Sequence, residues 1–228
     1  MLVPRRRRGF EHLDDPAVDD ALRERSLRDV QRANTLLGGR GAVVREVARL
    51  LPAMPSDVSL LDVGTGLGDI PSGVRALARK RGVHLTTIGV DEAASLARVS
   101  AGLLDASACG DARRLPFADG SVDIVTCSQV LHHFEEADIP VVLRELTRVA
   151  RRAVIVSDLR RSWLAAAGFW LVTWPLGFHA VTRHDGVTSV LRGFTARELR
   201  AHAERIGRRA TVRRHIGFRL TASWTPSP

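Results

Sequence analysis

Lysine is almost missing from this chain: among its 34 basic residues Lys80 is the only lysine. A formal net charge of +9 ordinarily raises the prospect of nucleic acid or an anionic membrane surface as partner. The near-exclusive use of arginine weakens that inference, because the base composition of a coding genome produces the same bias as selection for phosphate contacts. The arginines are also spread along predicted helices, as on solvated faces. Cysteine is scarce too. Cys109 and Cys127 fall in apolar segments, lack a partner at metal-ligand spacing, and read as buried, reduced thiols in a cytoplasmic compartment. No His/Cys/carboxylate cluster has ligand spacing, so no metal is expected. Arg5 to Arg8 are not followed by an apolar run, which excludes a secretory signal and leaves a mobile basic arm over residues 1–15. There is no internal repeat. The 228 residues, 45% of them apolar, suffice for one sizeable core and exclude wholesale disorder.

Only one apolar run is long. Trp163 to Val181 is flanked by Arg160 and Arg161 on one side and Arg183 on the other. Its length borders on the roughly 20 residues a membrane helix needs. Pro175 interrupts it, His179 lies within it, and a span here would split the domain in two. The expectation is an apolar helical cap over residues 160–194, with Trp163, Phe169, Trp170, Trp174 and Phe178 lining a substrate pocket. A membrane-touching surface is the second reading.

Between these features strand and helix signals alternate. Two N-terminal helices occupy residues 16–52, the first over Asp19 to Thr35, broken at Gly38-Gly39 and ended by Pro52. Ser59–Val63, Leu85–Val90, Ser107–Cys109, Val122–Cys127 and Ala153–Val156 read as strands, with helices over Ile70–Arg81, Ala93–Ala101 and Ile139–Val149. Thr195 with Glu198 forms a capping box for a helix through Ile206. Ala210–His215 and Phe218–Ser223 read as two final strands. Five strand–helix units followed by such a pair predict a mostly parallel α/β sheet of seven strands with one antiparallel edge strand.

The strongest local signal is Leu60-Leu61-Asp62-Val63-Gly64-Thr65-Gly66-Leu67-Gly68-Asp69, set between a strand and a helix. A dinucleotide loop requires G-x-G-x-x-G, but the sixth position from Gly64 is Asp69, an acidic residue poorly placed beside a pyrophosphate. The pattern is D-x-G-x-G-x-G instead. Gly89-Val90-Asp91 closes the second strand, and Asp91 is placed to accept from ribose hydroxyls. Gly110-Asp111-Ala112 follows the third.

With Leu115-Pro116-Phe117-Ala118-Asp119-Gly120-Ser121-Val122-Asp123 and Ser128-Gln129-Val130-Leu131-His132-His133-Phe134, this series resembles the class I S-adenosylmethionine-dependent methyltransferases. The likeness is to the group that includes ubiquinone/menaquinone-biosynthesis and natural-product enzymes, and it runs from about Leu60 to Val156. It implies a Rossmann-like fold. It also implies cofactor contacts from Asp62, Gly64, Thr65, Gly66, Gly68, Asp91, Glu92, Asp111, Ala112 and Ser128, with Asp111 accepting from the adenine amino group.

The Asp/Asn/Ser-Pro-Pro-aromatic sequence of enzymes that methylate nucleic-acid bases is replaced here by Ser128-Gln129-Val130-Leu131, which argues against nucleic acid. The expected acceptor is a hydrophobic phenol, enol, pyrone, polyketide or quinol, methylated on oxygen or, alternatively, on ring carbon. A nucleic-acid module and a non-catalytic scaffold are the readings of other classes. The candidate bases are His133 first, His184 second and His132, with Asp158 as a further pocket residue. His12, His84, His202 and His215 read as surface positions. The oligomeric state is not legible.

Overall fold

The computed structural model describes residues 3–7, 9–15 and 17–226. The chain begins with a tethered arm, then α1 (Asp20–Leu36) and α2 (Gly39–Leu50). The alternating part follows: β1 (Asp57–Val63), α3 (Asp69–Lys80), β2 (His84–Asp91), α4 (Ala94–Ala101), β3 (Ala106–Cys109), β4 (Val122–Ser128), α5 (Ile139–Val149) and β5 (Ala150–Leu159). It closes with α6 (Trp163–Thr173), α7 (Ala180–Arg192), α8 (Ala196–Arg205), β6 (Thr211–His215) and β7 (Arg219–Trp224).

The central strands are apolar on both faces because helices cover both. Leu60, Ile124 and Ile155 pack with Val43, Val47 and Val74 from α2 and α3. Their neighbours Leu61, Val125, Val154 and Val156 pack on the other face with α5 and with Leu199 of α8. Helix α5 shows why the sequence folds this way. Ile139, Val142, Leu143, Leu146 and Val149 recur at helical spacing and are all at most 1% exposed, each burial worth about 1.5–3 kcal/mol. Pro140 sits in its first turn, where no helical partner is required of its nitrogen. The capping box of α8 forms as expected: Glu198 N–H donates to Thr195 Oγ1 at 3.2 Å and Thr195 N–H to Glu198 Oε2 at 2.7 Å.

The seven strands run in the order β3-β2-β1-β4-β5-β7-β6. The first five are parallel, and β7 is antiparallel to both β5 and β6. The one antiparallel strand is therefore internal, not at the edge as expected. Composition explains this. β7 carries buried Leu220, Thr221 and Ala222, whereas β6 carries Arg213 and Arg214 and takes the outer place, where charge blocks further pairing. The strand order reverses between β1 and β4, and the crevice outside their carboxyl ends is where such sheets bind ligands.

Three expectations about burial are corrected. Cys109 is exposed, because β3 is a four-residue edge strand. His202 is buried edge-on against Phe194, 5.7 Å between ring centroids. His215 turns inward to Thr221 Oγ1 at 2.8 Å. The apolar run is α6, a turn and the first two residues of α7, and none of the helices described is long and apolar enough to cross a membrane.

Candidate functional site

A cleft of about 680 Å³ opens at the carboxyl ends of β1, β2 and β4 and extends under α1, the N-terminal arm and the cap. That volume lies within the usual range for small-molecule sites.

One wall is backbone. Gly64, Gly66 and Gly68 all have positive φ, at 70°, 53° and 74°. Any side chain at Gly64 would collide with Val130, since a Cβ there lies 2.1 Å from Val130 Cγ2, while above Gly66 nothing lies within 4 Å. The turn is thus tight on one side and open on the other, as close approach of a ligand requires. Asp91 holds the turn to the end of β2: its Oδ2 accepts from Gly66 N–H at 2.9 Å and its Oδ1 from Ala93 N–H at 3.0 Å. Burial raises the Asp91 carboxyl above its usual range, against those hydrogen bonds. Glu92, Gly110 and Ala112 also line this wall.

The remaining predicted cofactor residues lie elsewhere. Asp62 is 1% exposed beneath the turn and accepts from Thr126 Oγ1 at 2.7 Å. Burial pushes its carboxyl up to about 7. Thr65 and Ser128 are buried and Gly68 caps α3, so none of these forms the cleft wall. Asp111 is turned away: Arg113 Nε and Nη2 clasp its carboxylate at 2.8–3.1 Å. That bond to Arg113 lowers the Asp111 carboxyl.

The opposite wall is made of side chains from distant parts of the chain. His132 is 2% exposed and lines the cleft. Its Nδ1 lies 2.7 Å from Oδ1 of fully buried Asp158, whose Oδ2 accepts His132 N–H at 3.2 Å. Burial pushes the Asp158 carboxyl up, but the His132 ring and the Leu159 N–H more than offset this and hold it below its ordinary value. With a carboxylate at Nδ1, the hydrogen of the neutral ring resides there and the lone pair is at Nε2, an atom with no hydrogen-bond partner among the described residues.

His133, the first-choice base, stacks on His132 at 4.2 Å but sits on the exposed rim with Nδ1 2.8 Å from Asp14 Oδ1. Burial works to lower its pKa, yet Asp14 and Glu11 outweigh it and raise it. His133 thus commits its Nδ1 to the Asp14 carboxylate at the rim, whereas His132 Nε2 is left without a hydrogen-bond partner among the described residues. His184 is exposed, bonded to Asp185 at 2.9 Å, and outside the cleft wall.

Four residues here have long-range roles that escaped sequence reasoning. Asp185 is one: it accepts His12 N–H and Leu13 N–H, each at 3.0 Å, and pins the N-terminal arm across the cleft. The arm, expected to be mobile, is further tethered by Arg6 to the Arg192 carbonyl at 2.7 Å and by Arg161 to the Pro4 carbonyl at 2.8 Å. The other three are Arg219, Asn34 and Gln129. Arg219 is 3% exposed and lines the cleft, donating to the side-chain oxygens of Gln129 and, weakly, Asn34. Among the described residues no carboxylate oxygen lies within 4.0 Å of it, and its Nε has no partner. Burial lowers its pKa to about 10, against the charge of Asp158. Gln129 takes a positive φ of 58° to reach it, the kind of strain that collects at functional sites.

Of the five cap aromatics, Phe169 lines the cleft and Phe178 is buried, whereas Trp163, Trp170 and Trp174 face outward. Folding also gathers Glu11, His132 and His133, and separately His12, His184 and Asp185, within 4.8 Å at their ligand atoms. In the first group Arg192 already lies 2.9 Å from Glu11, a poor neighbour for a cation.

Comparison with known proteins accords with this architecture. Residues 61–156 match the family model described as a methyltransferase domain. The chain is 34% identical over 136 residues to a demethylmenaquinone methyltransferase of Roseiflexus sp., covering 53% of this chain and 51% of that one. It is 29% identical over 150 residues to the biotin biosynthesis bifunctional protein BioHC of Cellvibrio japonicus, covering 57% and 27%. The chain thus spans between about a quarter and about half the length of these curated relatives. The magnesium protoporphyrin IX methyltransferase of Synechocystis PCC 6803, solved with S-adenosylhomocysteine, superposes with a TM-score of 0.55 at 15% identity, covering 92% of this chain and 89% of that one.

Proposed function

We propose that this chain, built on a class I S-adenosylmethionine-dependent methyltransferase domain, methylates a hydroxyl of a hydrophobic phenolic or enolic small molecule. The residues present suit the cofactor: the backbone above Gly66 is open, and Asp91, with lone pairs to spare on both oxygens, stands at the cleft. Gly64, Gly66, Asp91, Glu92 and Ala112 would hold it at the wall, with Asp62 supporting the turn from beneath. When bound, S-adenosylmethionine supplies a methyl group already activated by its sulfonium.

The chain's own task is to position the acceptor and take its proton. The observation that carries the O-methylation reading is the buried pair His132–Asp158. Asp158 fixes the ring so that Nε2 receives the hydroxyl proton, and its charge stabilises the imidazolium that results. The Arg219 guanidinium, without a carboxylate partner, favours an anionic oxygen on the acceptor. Phe169, Leu27 and Val30 give the cleft its apolar lining.

The demethylmenaquinone methyltransferase relative favours a second reading, methylation of a quinol ring carbon. There the same Nε2 would take the proton of the ring hydroxyl, and carbon would be the nucleophile. Incubation with S-adenosylmethionine and a panel of phenols, pyrones and quinols, with products identified by mass spectrometry and NMR, tests both. An O-methyl product supports the first, a ring-methyl product replaces it with the second, and no product from any acceptor class counts against both.

A further inference from the structure

Helix α6 is apolar all round but buries only one strip. Ala165, Ala166 and Thr173 are buried, and Phe169 turns to the cleft. On the other side Trp163, Leu164, Trp170, Leu171, Val172 and the following Trp174 are 42–61% exposed. Trp163, Trp170, Leu171 and Trp174 recur at i, i+7, i+8 and i+11, so they share one stripe. Exposing so much contiguous apolar side chain marks an interaction surface.

Along the sequence, its charged neighbours are of one sign. From Leu159 to His184 the sequence contains no acidic residue. Arg7 lies over the Trp163 ring at 5.0 Å and Arg183 over the Trp174 ring at 4.0 Å, so cations rim the aromatic stripe. A second copy seated symmetrically on the same face would bring like charges together. An anionic bilayer satisfies both parts of the surface: tryptophan and leucine enter the headgroup boundary while arginine meets lipid phosphate. The helix has 11 residues, too few to span and enough to lie in the interface.

We infer that the outer face of α6 docks this protein reversibly on an anionic lipid surface. Because Phe169 on the inner side of the same helix lines the cleft, docking would bring the cap side of the acceptor pocket next to lipid. This inference rests on the exposed stripe and its charges, and it stands whichever acceptor the cleft takes.

Sedimentation of the full chain with sucrose-loaded vesicles tests it. The protein should pellet with vesicles of phosphatidylglycerol and phosphatidylcholine in equal parts, less so at high salt, and stay in the supernatant with phosphatidylcholine alone. Trp170→Ser with Leu171→Ser should lower the partition coefficient at least about tenfold, with an unchanged circular dichroism spectrum and melting temperature. Should that variant misfold, brominated lipids decide the matter in the wild type. Three of its four tryptophans lie in the stripe and Trp224 is buried, so lipid contact must quench the emission. Wild-type protein that ignores anionic vesicles, unquenched emission, or a folded double variant that partitions normally would each overturn the inference. So would a dimer that the double variant dissolves while vesicles go unbound.

Discussion

The two walls of the cleft are built differently. The wall proposed for the cofactor is mostly backbone: a turn of positive-φ glycines, held by one carboxylate, on strands that are neighbours in both sequence and space. The wall proposed for the acceptor is mostly side chains, among them Glu11, His132, Phe169 and Arg219, with Asp158 and Asn34 buried behind them. A backbone site tolerates change in most side chains around it and fails when a torsion is lost. A side-chain site depends on a few groups whose removal leaves buried partners unsatisfied. Mutation should expose that contrast.

The largest effect belongs to the acceptor wall. His132→Ala should slow single-turnover methyl transfer by about 10²–10⁴-fold while leaving S-adenosylhomocysteine affinity within a few-fold. His133→Ala should change the rate by no more than about threefold, since proton transfer at its rim position is not expected. An acceptor already ionised at the assay pH should partly rescue the first variant. The reverse order of the two histidines would return the base to His133 and leave the Asp158 pair a structural one.

The next effect is electrostatic and lies under the cofactor wall. Burial holds the Asp62 carboxyl at about 7, above the unfolded value of about 3.9. The folded state therefore binds this proton more tightly. Its contribution favours folding at low pH and is lost as pH rises from about 4 through about 7. Asp69, raised to about 6 by burial, acts in the same direction. Urea midpoints measured from pH 5 to 8 should fall with pH in the ligand-free protein. Asp62→Asn should flatten that fall by an amount on the order of a few kcal/mol at most. Parallel profiles in the two proteins would show that Asp62 is already charged in the fold.

Smaller still is Asp91→Ala. It should weaken S-adenosylhomocysteine binding by about 1–3 kcal/mol, the scale for leaving buried donors unpaired, while NAD shows no binding heat. Unchanged affinity would take Asp91 out of the site. Asp111→Ala should have the least effect, within about 0.5 kcal/mol in both affinity and stability, because its exposed pair with Arg113 is worth little. A loss as large as that of Asp91→Ala would mean that Arg113 releases Asp111 when ligand binds.

Legibility in the sequence followed the same division. The glycine turn, Asp91 and the capping box of α8 were legible because each is a short-range pattern whose chemistry is complete within a few residues. The sequence favours His133 over His132, but adjacent histidines look alike until one is seen against Asp158. Arg219 gave no signal at all: one arginine among many, it becomes distinctive only through burial without a carboxylate partner. The cap run was legible as apolar but not as two-sided. Its near-uniform hydrophobicity carries no period to tell Phe169, which turns inward, from Trp170, which does not.

Sequence by itself determined the alternation of elements, the class of sheet and the glycine turn, because hydrophobic periodicity and glycine torsions act over a few residues. Tertiary structure alone decided that β7 lies inside β6, that Asp185 ties the arm across the cleft, and that Asp158 pairs with His132. Each of these depends on groups far apart in the chain meeting in a region of low dielectric, where an unpaired polar atom is costly and a paired one is held in place.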